Sequence, residues 1–138
     1  MDDKAILMEI IITIQGEADT VPTTRTFQFH DDADYVILEN SIKTIKNKLS
    51  KKMRININET LDIFLNYVLS QLRLHKKSIE IESKLSKLLS SEQVMIGVPE
   101  SLRKIDFKIG DENKQELSMT ITEPISTTSY ILSSQSQK

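Results

Sequence analysis

The chain contains no cysteine, only two histidines, and few aromatic residues. The absence of cysteine excludes disulfides, thiolate nucleophiles and cysteine-ligated metals. The 18 basic and 20 acidic residues give a net charge of −2. The overall charge therefore provides no attraction to nucleic acid or to an anionic membrane, and we expect neither as a partner.

Long apolar runs are lacking as well. The longest lies within residues 5–14, well short of the ~20 residues with which a helix crosses a bilayer. No basic leader with a small-residue cleavage site precedes it. We therefore expect a soluble, cytoplasmic protein whose 138 residues form one domain with a modest core.

Two β-rich segments come first in the chain. Residues 4–14 are apolar and β-branched, and a loop over residues 16–23 leads to a second segment at residues 24–29. Both are typical of strands, and together they suggest a hairpin. One face of the first segment carries Ile6, Met8, Ile10, Ile12 and Ile14. We expect this strand to pair with a C-terminal β-ribbon and widen it into a sheet.

Three amphipathic helices are predicted next. Asp31 and Asp32 offer capping carboxylates to a helix over residues 33–52, Asn56 and Glu59 have the residue types of a capping box, and Ser78 can cap the third helix. Short connections favour antiparallel packing. The apolar positions at helical spacing are Leu38, Ile42, Ile45 and Leu49; Leu61, Phe64, Leu65, Val68, Leu69 and Leu72; and Ile81, Leu85, Leu88 and Leu89.

A chain reversal is predicted within residues 94–100. Ser90 and Gln93 have the spacing that caps a short fourth helix. Gly97 suits the left-handed residue that ends a helix, and Pro99 cannot continue one.

Two alternating strands follow the reversal, with a polar loop at residues 110–113 between them. Their apolar positions are Ile105, Phe107, Ile109, Leu117, Met119 and Ile121. The predicted fold class is therefore α+β. It consists of a small bundle of three main helices and a short fourth, with a C-terminal β-hairpin extended by the N-terminal strands.

Residues 34–125 contain MRININE at 53–59, VMIGVP at 94–99 and EPI at 123–125, and with these motifs the segment resembles the gamma subunit of microbial urease. MRININE at residues 53–59 is similar to the family's LKLNYPE, and VMIGVP at residues 94–99 is similar to its VMxGVP. The family pattern fits between these motifs without a gap and places Arg73 on the family's arginine. The ribbon then ends in EPI at residues 123–125, similar to the family's x-P-I.

Four departures from the family pattern replace a glycine, a proline or a histidine. The family's A-R-D-G turn has His75 in place of its glycine, and Asn58 replaces the proline of N-Y-P-E. Leu85 replaces a glycine, and Thr122 replaces a histidine. The resemblance implies a divergent member with three parts: an N-terminal β extension (residues 1–32), a urease-gamma-like domain (33–125) and a Ser/Thr/Gln-rich tail (126–138). We expect that tail to be mobile unless a partner orders it.

The resemblance also implies a role. Urease hydrolyses urea with two nickel ions that its large alpha subunit holds, so this chain would be a structural subunit with no catalytic, cofactor-binding or metal residues. Its partners would be alpha-type and beta-type urease chains and copies of itself, arranged around a threefold axis. The histidine content agrees with this role, because a dinuclear, imidazole-rich nickel site needs more than the two histidines that the chain contains.

Two other roles stay open. One is a stand-alone paralogue that serves as an oligomeric interaction or binding module, with its N-terminal strands covering a surface once used for subunits. The other is an independent enzyme, for which no catalytic constellation is visible.

Individual polar residues favour ordinary structural roles. His75, at a helix end beside Lys76, suits the negative end of the helix dipole better than a metal. His30, next to two aspartates, suits an exposed capping loop. Neither the Asp2–Asp3 pair nor the pair of Glu80 and Glu82 suits acid–base chemistry, since residues two apart on a helix do not face each other.

A basic run is the strongest sign of a different function. A helix carrying it could follow a phosphate backbone, but the acidic excess and scarce aromatics favour a solvated or subunit-facing surface. The run comprises Lys43, Lys46, Lys48, Lys51, Lys52 and Arg54.

Overall fold

A four-stranded antiparallel sheet packs against a layer of helices in the computed structural model, which describes residues 8–17, 21–111 and 116–126. The predicted α+β class is confirmed, with three main helices and a short fourth in this part of the chain. The elements in chain order are β1 (Met8–Gln15), β2 (Thr23–Phe29), α1 (Asp32–Ser50), α2 (Ile57–Arg73), α3 (Ser78–Leu85), α4 (Val98–Ser101), β3 (Lys104–Asp111) and β4 (Glu116–Thr122).

The first strand lies inside the sheet, whose order is β2-β1-β3-β4. Ile10 of β1 is opposite Phe27 of β2 on one side and opposite Ile109 of β3 on the other. The predicted N-terminal hairpin and its pairing with the C-terminal ribbon are therefore confirmed. Ile6, expected on the same face, lies outside the described residues.

The sheet has one apolar and one polar face, as its period-2 pattern predicts. The apolar face and the helices share a single hydrophobic core, in which Ile10, Phe107 and Phe64 are almost completely buried. The opposite face carries polar side chains such as Thr13, Lys108 and Thr120, so the two layers meet on one side of the sheet.

Side chains cap the two long helices as predicted. Asp31 accepts a hydrogen bond from the Ala33 amide at 3.0 Å at the start of α1. At the start of α2, Asn56 Oδ1 accepts from the Glu59 amide at 2.8 Å, and Glu59 Oε1 accepts from the Asn56 amide at 3.0 Å. Each bond satisfies an amide that has no partner within its own helix.

Both long helices end with a residue in the left-handed region. After α2, the His75 amide donates to the Leu72 carbonyl at 3.0 Å, and the Lys76 amide donates to the Gln71 carbonyl at 3.1 Å. This is the Schellman arrangement, and His75 adopts the positive φ of 59° that it requires. Lys52 adopts a φ of 62° after α1 in the same way.

The predicted cap of the third helix is wrong by one residue. Lys77 is the N-cap, with an extended backbone, and Ser78 is already the first helical residue. The Glu80 carboxylate accepts the Lys77 amide at 3.5 Å, so the chain caps this helix with an acidic side chain instead of the serine hydroxyl. Leu88 and Leu89 lie beyond the helix, although Leu89 is still buried in the core.

The predicted fourth helix is displaced. Residues 91–93 form a turn, in which the Gln93 amide donates to the Ser90 carbonyl at 3.0 Å. The short helix α4 instead begins after Gly97, with Pro99 in its first turn. Proline is tolerated there because amides of the first turn have no intrahelical acceptor. Gly97 is left-handed as predicted, with a φ of 98°, but it begins a helix rather than ending one.

The ends of the C-terminal ribbon differ slightly from the prediction. β3 continues through Gly110 and Asp111, which the sequence assigned to the loop; residues 112–115 lie outside the described part. Of the predicted mobile tail, Ser126 is described, and its amide donates to the Leu89 carbonyl at 3.0 Å. Residues 127–138 also lie outside the described part.

Replacing Ile12 by alanine should lower the free energy of unfolding by about 3 kcal/mol, because its side chain is 1% exposed in the core. Ile11→Ala is the matched control. It removes the same atoms from the opposite face of the same strand, where they are only half-buried, and should cost about 1 kcal/mol. Urea denaturation measures both. Equal losses would contradict the assigned faces of β1.

Candidate interaction site

Two distant parts of the chain join where α2 begins. Ile55 and Val94 form a parallel bridge, in which the Ile55 amide donates to the Gln93 carbonyl at 3.0 Å and the Met95 amide donates to the Ile55 carbonyl at 2.9 Å. The Arg54 guanidinium adds a hydrogen bond of 3.0 Å to the Val94 carbonyl. The chain reversal is thereby held against the entrance to α2.

A tight turn beyond this bridge projects Ile96 outward. The Val98 amide donates to the Met95 carbonyl at 3.0 Å, and Gly97 has φ 98° and ψ −20°. These values are typical of the third residue of a type II turn, which favours glycine. Ile96 occupies the second position and is 94% exposed, while Met95 is 46% exposed.

A shallow recess of about 310 Å³ lies beside this turn. Its apolar lining comes from Ile57, Met95, Ile96 and Val98, which we call the Ile96 surface. None of the residues that line it has a titratable side chain, so the recess can bind but has no group for acid–base chemistry. Exposed apolar surface on a rigid support is typical of an interaction site.

The capping box behind the Ile96 surface joins α1 to α2 electrostatically. Lys48, near the end of α1, donates to Glu59 Oε2, while Glu59 Oε1 accepts the Asn56 amide. Burial raises the pKa of the Glu59 carboxyl, but the hydrogen bonds from Lys48 and Asn56 outweigh it. The pKa of Glu59 therefore lies below its ordinary value of 4.5.

The two histidines lie in separate surroundings. His75 is exposed at the end of α2, and His30 precedes α1, with its Nδ1 3.5 Å from Asp34 Oδ2. Glu80 accepts the Lys77 amide, and Asp2 and Asp3 lie outside the described residues. Within the described ranges, no group of three His, Asp or Glu side chains is arranged to hold a metal ion.

The basic run does not form one continuous stripe. Lys48 is paired with Glu59, and Arg54 is bound to the carbonyls of Ser91 and Val94. Lys43 and Lys46 line a different groove, between α1 and α2. Four of the six cations therefore lie in three different surroundings, while Lys51 and Lys52 are exposed at the end of α1.

Sequence reasoning missed two features of the surface. It did not identify Ile96 as exposed, although the neighbouring Gly97 indicated a turn at this place. It also missed Asp62, a half-buried carboxyl whose pKa is raised by burial despite the opposing charge of Arg25. No local pattern indicates Asp62, because its surroundings come from β2 and α1.

Two comparisons with known proteins find no relative of this chain. The chain matches no profile of a known protein family, and a search of curated proteins also finds no match. In the described part of the chain, no helix combines the length and the apolar character needed to traverse a lipid bilayer.

Replacing Gly97 by alanine should lower the free energy of unfolding by about 1–2 kcal/mol, because an L-residue is disfavoured at a φ of 98°. An added Cβ would meet nothing within 4 Å, so the cost comes from the backbone alone. Gly110→Ala is the control, since Gly110 lies in β3 without a positive φ and its Cβ would also meet nothing. Chemical denaturation compares the two. Equal effects would contradict the left-handed turn.

Replacing Glu59 by glutamine should destabilise the protein at neutral pH and have less effect in acid. A carboxyl whose pKa is lowered by folding stabilises the native state above its unfolded pKa, and this stabilisation is lost as pH falls through the folded pKa. Urea unfolding between pH 7 and about pH 3 measures the difference. Glu92→Gln, in an exposed turn, is the control. A difference that stays constant over this range would refute the role of the charge.

Proposed function

We propose that this chain is a non-catalytic, gamma-type subunit of a urease. In this role it contributes surface to an assembly with alpha-type and beta-type chains and with further copies of itself. The nickel ions and the hydrolysis of urea belong to the large partner chain. The proposal includes a cytoplasmic location, and it rests on the residue pattern and the geometry at the positions that carry the pattern.

The backbone at His75 is the observation that carries the proposal. The urease gamma pattern has a glycine at this position, and the chain retains the left-handed φ of 59° that glycine favours. A histidine in this conformation costs about 1 kcal/mol relative to an ordinary backbone. The left-handed turn at His75 agrees with a glycine at this position of the family pattern, although Lys52 after α1 adopts the same conformation.

The Ile96 surface supports the same role. Three of its four residues, Met95, Ile96 and Val98, lie within VMIGVP, the stretch most similar to the family pattern, and Ile96 is 94% exposed. In an assembly, this exposed projection would be buried against a partner chain. We therefore assign the contact with the large chain to this surface.

A stand-alone binding module is the second candidate, and one observation favours it. β1 pairs along the whole of β3 and so occupies an edge of the C-terminal ribbon. In this alternative the N-terminal strands replace a contact between subunits, and the chain forms an oligomer without urease chains.

Co-expression with the alpha-type and beta-type urease chains of the same organism tests the proposal. The three chains should co-purify, and urea hydrolysis should depend on this chain. Ile96→Asp should abolish co-purification while leaving the far-UV circular dichroism and the melting temperature unchanged, because the side chain is exposed. Ile79→Asp, at a side chain 72% exposed on α3, is the matched control and should have no effect.

Failure of the three chains to co-purify would contradict the proposal. If the large chain does not co-purify, and light scattering shows that this chain alone forms a stable oligomer, the urease role is wrong and the stand-alone module is supported. An organism that has no large urease chain would also exclude the first proposal.

A further inference from the structure

A second surface lies between α1 and α2. At one end, the guanidinium carbon of Arg73 is 4.5 Å from the ring centroid of Tyr35; at the other, Lys48 is paired with Glu59. The start of α1 therefore lies beside the end of α2, and the two helices run antiparallel. A groove of about 450 Å³ opens between them.

The floor of this groove contains apolar side chains, with Asn66 and Ser70 among the polar residues that also line it. Ile42 and Leu69 are buried in the core, and Leu38 is half-buried against it. From Tyr35 to Lys46 the groove follows α1 for about 16 Å, at 1.5 Å per residue. This length suits about three turns of a partner helix, whose apolar side chains could rest on the floor.

The rim of the groove is predominantly basic. Lys43 and Lys46 project from α1, and Arg73 projects from α2; Glu39 is the acidic residue among those that line it. In the described ranges, none of the three cations has a carboxylate within ion-pair distance. The groove therefore combines an apolar floor with a positive rim that an acidic partner would complement.

We propose that the groove binds an acidic amphipathic helix of a partner protein. The apolar stripe of that helix packs on the half-buried Leu38, above the buried Ile42 and Leu69, and its carboxylates face Lys43 and Lys46. This assignment does not depend on the urease role, because a stand-alone module would use the same groove. Nucleic acid fits less well, because a phosphate backbone makes no use of the apolar side chains in the groove.

Synthetic peptides test the proposal with the full chain. The first probe is an amphipathic peptide of about 18 residues with one leucine stripe flanked by glutamates. The second has lysine in place of each glutamate, and the third has the composition of the first in scrambled order. A DNA duplex is the fourth probe. Isothermal titration measures all four, at about 50 mM and about 300 mM salt.

The glutamate peptide should bind at least about tenfold more tightly than the lysine peptide, and added salt should weaken its binding. The scrambled peptide should bind weakly, because it has no stripe to rest on the floor. The double variant Lys43→Glu/Lys46→Glu should lose the glutamate peptide. Lys84→Glu/Lys87→Glu is the matched control, with the same spacing and charge change at exposed positions, and should retain the peptide.

Circular dichroism melts establish that both double variants are folded. The proposal is overturned if the glutamate and lysine peptides bind alike, if the scrambled peptide binds as well as the striped one, or if none binds. It is also overturned if both double variants bind the glutamate peptide equally, or if the DNA duplex binds more tightly than that peptide.

Discussion

The pairing of the first strand with the third is the contact on which the rest of the structure depends. β1 lies between β2 and β3, so both of its edges are hydrogen-bonded, and Ile10 and Ile12 are buried beneath the helices. The helical segment runs from β2 to β3, and because both strands pair with β1, the two ends of that segment are held at the same sheet. A sheet of four strands also supplies the apolar face that a lone C-terminal hairpin would lack.

The two proposed binding surfaces arise from this arrangement in different ways. The Ile96 surface depends on a turn that backbone hydrogen bonds hold against Ile55. The groove between α1 and α2 depends on helix packing that leaves the outer part of the apolar stripe, around Leu38, partly uncovered. The first is a projection and the second a concavity, so they suit partners of different shape.

Much of the fold could be predicted because the relevant signals are local. The capping box at Asn56 and Glu59 and the alternation through β3 each involve residues close together in sequence. Predictions were less accurate where the local sequence allows a residue two different structural roles. Ser78 could be a cap or a first helical residue, and Pro99 could exclude a helix or begin one. In both places the conformation of the backbone before the residue determined which role the residue has. Sequence spacing does not encode that conformation.

The sequence by itself determined the element types, most of their ends, and the faces that each buries, because capping and periodicity depend on neighbours within about four positions. Only the tertiary structure determined the order of the strands in the sheet. It also determined which apolar residues remain exposed and which lysines form an ion pair with a carboxylate. Ile55 and Ile96 are both isoleucines beside the chain reversal, yet one is completely buried and the other projects. The difference comes from the bridge between Ile55 and Val94, a contact between residues far apart in the chain that no local pattern specifies.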